Sequence, residues 1–159
     1  MQPEPPLRPA PPRHPVRLRV LIADGHDLFA EALTLTLQLD DGLKVLARAR
    51  DGREAVDLAS LLQPDVVLME LQMPLLNGIE ATREVRLAAP GCRVVIVTAS
   101  ASADDESRAA REAGASAYVR KGGFAAELFD AIFNAASESL GARAAQLREV
   151  PPAPPPAPR

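Results

Sequence analysis

A chain of 159 residues is long enough for one domain with a buried core, and an apolar content of 47% is ordinary for a globular protein. The formal net charge is −3 with both signs mixed along the chain, which leaves no basic field of the kind that holds nucleic acid nonspecifically. A single cysteine, Cys92, excludes an internal disulfide framework and fits a reducing cytosol; prolines break the N-terminus too often for a signal peptide, and no run nears the ~20 apolar residues of a membrane span.

Proline sets the expected boundaries. Seven of the 16 prolines fall in residues 1–15 and six in 151–158. Residues 1–16 are expected to be a disordered arm, 17–139 a single domain, and 140–159 a helical extension followed by a disordered, proline-rich tail. That tail has the composition to dock in an aromatic groove, although a solvated tail is the simpler reading.

Between the tails, strand and helix patterns alternate. Residues 17–23 read as a strand with a buried end at Val20-Leu21-Ile22-Ala23. Residues 27–39 read as a helix, with Phe29, Leu33 and Leu37 on an apolar stripe and Asp27, Glu31, Thr34 and Gln38 on a polar one. Residues 43–50 alternate as an edge strand does, and 53–62 form a helix that ends before Pro64. Val66–Met69 is a buried strand, followed by a helix over 78–88 that ends near Pro90-Gly91. Residues 94–97 form the clearest buried parallel strand. Ser102 reads as the N-cap of a helix that runs to Gly114, with Asp104, Asp105 and Glu106 at its positive end. A short strand over 117–119 and a last helix from Phe124 onward complete the series. In that helix Phe124, Leu128, Ile132 and Ala135 suit a core face. Phe129 and Phe133 form a second apolar stripe, continued by Ala136, Leu140 and Leu147, and suit a partner or dimer seam.

Five strands and five helices in alternation imply an α/β doubly wound parallel sheet covered on both faces. In such folds ligands sit at the carboxyl ends of the strands. Asp24, Glu70, Thr98 and Lys121 all lie at expected strand ends and should converge at one edge.

Several segments, in order, carry a resemblance: Leu21-Ile22-Ala23-Asp24-Gly25-His26, the strand ending in Glu70, Met73-Pro74 with Asn77-Gly78, Val97-Thr98-Ala99, and Gly114 through Lys121. From about Arg17 to Ala136 the chain resembles the receiver domain of bacterial response regulators. Its wording is most similar to the NarL-type branch, whose members usually carry a C-terminal helix-turn-helix domain. The resemblance implies the CheY-like, flavodoxin-like (βα)5 fold with strand order 2-1-3-4-5 and a role in two-component signal transduction. In that family a carboxylate pair and an acceptor aspartate hold Mg²⁺. The residue matching Thr98 hydrogen-bonds the phosphoryl group, the residue matching Lys121 pairs with the acceptor and then the phosphoryl group, and the residue matching Tyr118 swings inward on activation.

Two positions depart from that pattern. Glu70 stands where the resemblance places the acceptor aspartate, and Gly25 where it places the second carboxylate. The expectation is a domain without catalysis, with Mg²⁺ bound weakly or absent, that acts by phosphorylation-independent protein–protein contact. Glu70 is a candidate mimic of the phosphorylated acceptor or else a structural partner of Lys121. The expected partner is a protein, such as a histidine kinase, another regulator or a second copy, at the last strand and last two helices; no nucleic acid or membrane contact is expected.

Five other readings stand beside this one. A competent phosphoreceiver would use Glu70 or another acceptor, and the chain would otherwise be a truncated DNA-binding regulator. The run Asp24-Gly25-His26-Asp27 also resembles the Asp-x-His-x-x-Gly loop of cobalamin-binding domains, but Phe29 stands where that loop needs glycine. A dinucleotide site fails for want of Gly-x-Gly-x-x-Gly after the first strand. Hydrolytic chemistry has only His14, His26 and Cys92 to draw on.

Overall fold

The computed structural model describes residues 17–100, 103–123 and 125–148, with backbone alone for 103 and 140–148. The expected residues Ser102 and Phe124, both proline-rich ends, and the side chains of Leu140 and Leu147 lie outside what is described. Ten elements alternate: β1 (Leu18–Ala23), α1 (Asp27–Leu37), β2 (Leu43–Ala49), α2 (Gly52–Leu62), β3 (Val66–Met69), α3 (Gly78–Ala88), β4 (Arg93–Thr98), α4 (Ala103–Glu112), β5 (Ala117–Arg120) and α5 (Ala125–Arg148). Four parallel pairings join the strands into one sheet in the order β2-β1-β3-β4-β5. This is the doubly wound α/β architecture expected from the sequence, with β2 at an edge.

Strand side chains alternate between faces, so each strand feeds two cores. Leu21, Ala23, Val67, Met69, Val94 and Ile96 join the cluster under α2 and α3. Val20, Ile22, Val66, Leu68, Val95, Val97 and Val119 join the cluster under α1 and α5. Burial on both faces explains why the central strands read as unbroken apolar runs. On α1, Leu33 and Leu37 enter the second cluster, with Phe29 partly buried beside it. On α5, Leu128, Ile132 and Ala135 are buried as expected. Ala136 is buried as well, and Phe129 packs against the core, so neither continues an exposed seam. Their removal from that stripe follows from the width of the helix face that covers the sheet. Among the described residues no helix is long and apolar enough to cross a membrane.

The loop from β3 to α3 is fixed by close backbone contact. Asn77 caps α3 by accepting from the N–H groups of Ile79 and Glu80, both at 3.0 Å. The Gly78 N–H donates to the Leu71 carbonyl at 2.8 Å. A Cβ on Gly78 would overlap the Glu70 carbonyl oxygen and the Leu71 backbone. Gly78→Ala should therefore destabilise the fold by about 1–3 kcal/mol, the usual cost of overpacking. Urea denaturation would read the loss, and an unchanged midpoint would mean that the loop moves freely away from Glu70.

Candidate functional site

The carboxyl ends of β1, β3, β4 and β5 bring Asp24, Glu70, Thr98 and Lys121 together. Asp24 and Glu70 are each 3% exposed and Thr98 is fully buried. Two carboxylates so far from water need compensation, and a single ammonium supplies it. Lys121 Nζ lies 2.7 Å from Asp24 Oδ2 and 2.6 Å from Glu70 Oε2. The same ammonium sits 4.2 Å from the centroid of the Phe29 ring. Two carboxylate oxygens and an aromatic face thus surround its three N–H bonds.

The other oxygen of Glu70 is also saturated. Oε1 accepts from Thr98 Oγ1 at 2.8 Å, from the Leu71 N–H at 2.6 Å and from the Gln72 N–H at 3.2 Å. The carboxylate therefore folds back over the start of its own loop while reaching across to β4 and β5. Hydrogen bonds of this charge-assisted kind fix the side chain in one pose.

Gly25 and His26 form the rim. A Cβ on Gly25 would lie 3.3 Å from the Arg50 carbonyl oxygen and 3.9 Å from Pro74 Cδ. A side chain there needs only a small shift, so packing does not force a glycine. His26 precedes α1 at the N-cap position and makes no side-chain cap. Its ring turns back to Asp24 instead, with Nδ1 3.2 Å from Oδ1, while its backbone N–H donates to the same oxygen at 2.8 Å. The imidazole was not distinguishable from an ordinary loop residue in the sequence. Its place two residues after a buried aspartate was the available signal. Phe29, expected on the core stripe, shares its ring between the core and Lys121.

The remaining expected residues lie farther out. Tyr118 is half-buried against the core, and its hydroxyl approaches Glu106 Oε2 on α4 at 3.4 Å. Burial, and then the Glu106 carboxylate, push the Tyr118 phenol above its ordinary pKa. Cys92 is buried, and desolvation raises its thiol to about 12, which removes it as a nucleophile at neutral pH. At the start of α1, the Arg48 guanidinium hydrogen-bonds Asp27 and holds its carboxyl below the ordinary value.

The two phenylalanines of α5 divide. Phe129 packs against the core, whereas Phe133 is 38% exposed and its ring lies near Gly42 in the α1–β2 turn. More exposed apolar surface lies on and after α1, at Leu28 (84%), Leu35 (61%) and Leu39 (86%). Spacings of seven and four place these leucines along one side of the helix and its following turn. The inward stripe of α1 is legible from its apolar spacing, whereas the outward leucines lie among polar residues.

A doubly wound sheet of this order, with buried carboxylates, a threonine and a lysine at the carboxyl ends of its strands, defines a receiver-type domain. The chain belongs to the response-regulator receiver family, whose domain model matches residues 20–133. It is 41% identical over 115 residues to the response regulator GacA of Pseudomonas viridiflava, covering 72% of this chain and 53% of that protein. It is 38% identical over 115 residues to the transcriptional regulatory protein LiaR of Bacillus subtilis, covering 72% of this chain and 54% of that one. The chain thus spans about half the length of these curated relatives. Among solved structures, the response regulator domain of Thermotoga maritima CheB superposes with a TM-score of 0.71 at 31% identity, covering 76% of this chain and 97% of that one. The signal receiver domain of the response regulator NarL from Mycobacterium tuberculosis gives 0.70 at 29% identity, covering 77% and 98%.

Removing the shared counter-ion tests the electrostatic account. Lys121→Met retains much of the aliphatic bulk but leaves Asp24 and Glu70 facing each other without a cation. The expected loss is about 3–5 kcal/mol, the cost of breaking a buried pair from one side. Chemical denaturation at neutral pH would measure it, and a loss within experimental error would show that water already screens the pocket.

Proposed function

We propose that the chain is a receiver-type interaction module, cytoplasmic and non-enzymatic, that works without phosphorylation and in which Glu70 stands in for a phosphorylated acceptor. The observation that carries this reading is the pose of Glu70. One of its oxygens takes the Thr98 hydroxyl and the other takes the Lys121 ammonium. These are the two groups that the receiver pattern directs to a phosphoryl group. The extra methylene of glutamate gives the reach, although the side chain carries one negative charge where a phosphoryl group carries nearly two.

Magnesium fits this pocket poorly. Gly25 offers no side-chain oxygen, and the ammonium of Lys121 already bridges the two carboxylates that remain. Mg²⁺ demands hard oxygen ligands in near-octahedral array. Incubation with acetyl phosphate and millimolar Mg²⁺ should leave the intact mass unchanged. A gain of one phosphoryl group that Glu70→Ala abolishes would overturn the proposal. Glu70→Gln keeps the shape and removes the charge, so it should weaken partner binding by ~5–150-fold, the usual span of a coupling free energy. Unchanged affinity would make the pocket a purely structural element.

The output is a protein contact. Its anchors are Phe133 and the exposed leucines of α1; Leu61, Leu75 and Leu87 are exposed as well, but Leu28, Leu35 and Leu39 line one side of the helix and its following turn. The exposed side chains favour a contact nearer α1 and the α1–β2 turn than β5 and α4. Leu35→Asp and Phe133→Asp should each abolish association and leave a cooperative melt. Association that survives both changes would return the contact to the α4–β5–α5 side.

A second reading follows from the relatives. LiaR of Bacillus subtilis is named a transcriptional regulatory protein, and the chain spans about half of its length. The domain would then be the input half of a DNA-binding regulator with Glu70 biasing its output. Phosphoryl incorporation distinguishes a competent receiver from the unphosphorylated module, whichever output follows.

A further inference from the structure

The core under α1 and α5 is open to solvent beside β4 and β5. Val20, Ile22, Leu37, Val95 and Ile132 of that cluster are fully buried, whereas Val97 and Val119 each keep 4% of their surface, Leu33 6% and Leu128 9%. Those four residues line one cavity of about 170 Å³ between α1 and α5. We propose that this cavity binds a small, neutral aromatic molecule of the size of benzene or indole, at a site separate from the pocket of Asp24 and Glu70.

The cavity reaches the sheet. Val97 and Val119 are paired across β4 and β5 and form its floor, while Leu33 of α1 and Leu128 of α5 form its walls. Ala32 and Ala125 line it from the same two helices and are exposed, so they stand at its mouth. Their small side chains leave open a gap that a larger residue would close. Protein interiors otherwise pack like organic crystals. Water gains little in such a space, because it needs two to four polar partners, whereas an apolar cavity of about 150 Å³ takes up benzene.

The lining selects a neutral ring. Lys121 borders the cavity, but its ammonium is already held by Asp24, Glu70 and the face of Phe29. Arg120 is exposed at the rim, where water screens its charge. An ion carried into the cavity would therefore lose its hydration without gaining a partner. Phe29 also lines the cavity, and aromatic pairs gain more than the area they bury. The solvent-facing leucines of α1 take no part: Leu28, Leu35 and Leu39 are not among the lining residues.

Toluene and benzoate test the site on the full chain, since they share a ring and differ in charge. Toluene should raise the melting temperature. It should also shift the methyl resonances of Leu33, Val97, Val119 and Leu128 saturably, and leave those of Val56 and Val85, under α2 and α3, in place. Benzoate should do neither. Ala32→Trp closes the mouth from an exposed helix position, and Val119→Phe grows into the empty space from the floor. Each should weaken toluene binding by about tenfold or more, the worth of burying one apolar side chain. Ala32→Trp carries the test if Val119→Phe does not fold. Leu35→Asp, outside the cavity, should leave toluene affinity unchanged. No saturable shift, equal affinity in the parent and Ala32→Trp, or equal binding of benzoate would overturn the proposal. Binding seen only after Phe124→Ala would overturn it too, because the chain would then fill the cavity with its own ring. None of these readouts depends on phosphoryl incorporation or partner affinity, so the cavity and the phosphate-independent reading stand or fall separately.

Discussion

One ammonium group holds the functional edge of this domain together. Lys121 follows β5, Asp24 follows β1, and Glu70 follows β3; the lysine is the cation that joins all three. At an effective dielectric of 20, each contact at this distance is worth roughly 6 kcal/mol before desolvation. Burial takes most of that back, so the net stabilisation is small while the cost of losing the lysine is large. The bridge therefore acts through placement. It fixes where two carboxylates lie, and Thr98 and the loop amides then arrange themselves around Glu70.

Length of side chain matters as much as charge at position 70. A carboxylate one methylene from the backbone is held close to the strand end. Glu70 carries its oxygens farther, enough for one to meet Thr98 while also accepting from the amides of Leu71 and Gln72. The loop that follows is then set by the same residue, since the Glu70 carbonyl packs against Gly78 at the start of α3. A single glutamate thus organises the pocket with its side chain and the loop with its backbone.

The fold was legible because its signals are local and repeated. Apolar strands buried on two faces cannot alternate, and helices on such a sheet must. β3 and α3 match their expected limits to the residue, while β4 gains Arg93 and Thr98 at its ends and α1 stops two residues early. The convergence of Asp24, Glu70, Thr98 and Lys121 was equally readable, because strand ends in a parallel sheet share an edge. Side-chain direction was harder to read. Whether His26 caps α1 or turns to Asp24 depends on a carboxylate that is buried only in the folded state. Phe129 and Phe133 share a spacing pattern, yet one packs on the core and the other lies beside Gly42, a turn that no helical wheel contains.

Helix α1 has two working sides. Phe29, on the inner side, supplies the aromatic face under Lys121, while Leu28 and Leu35 stand in solvent on the outer side. Phe29 and Leu28 are consecutive residues, so the aromatic contact to Lys121 and the nearest solvent-facing leucine belong to one turn of helix. A displacement of that turn would change the 4.2 Å separation between the ring and the ammonium. Were the outer leucines and the ion cluster coupled, the coupling free energy would be the same read from either end. Helix α1 thus carries an apolar stripe in solvent on one side and the aromatic wall of the buried ion cluster on the other.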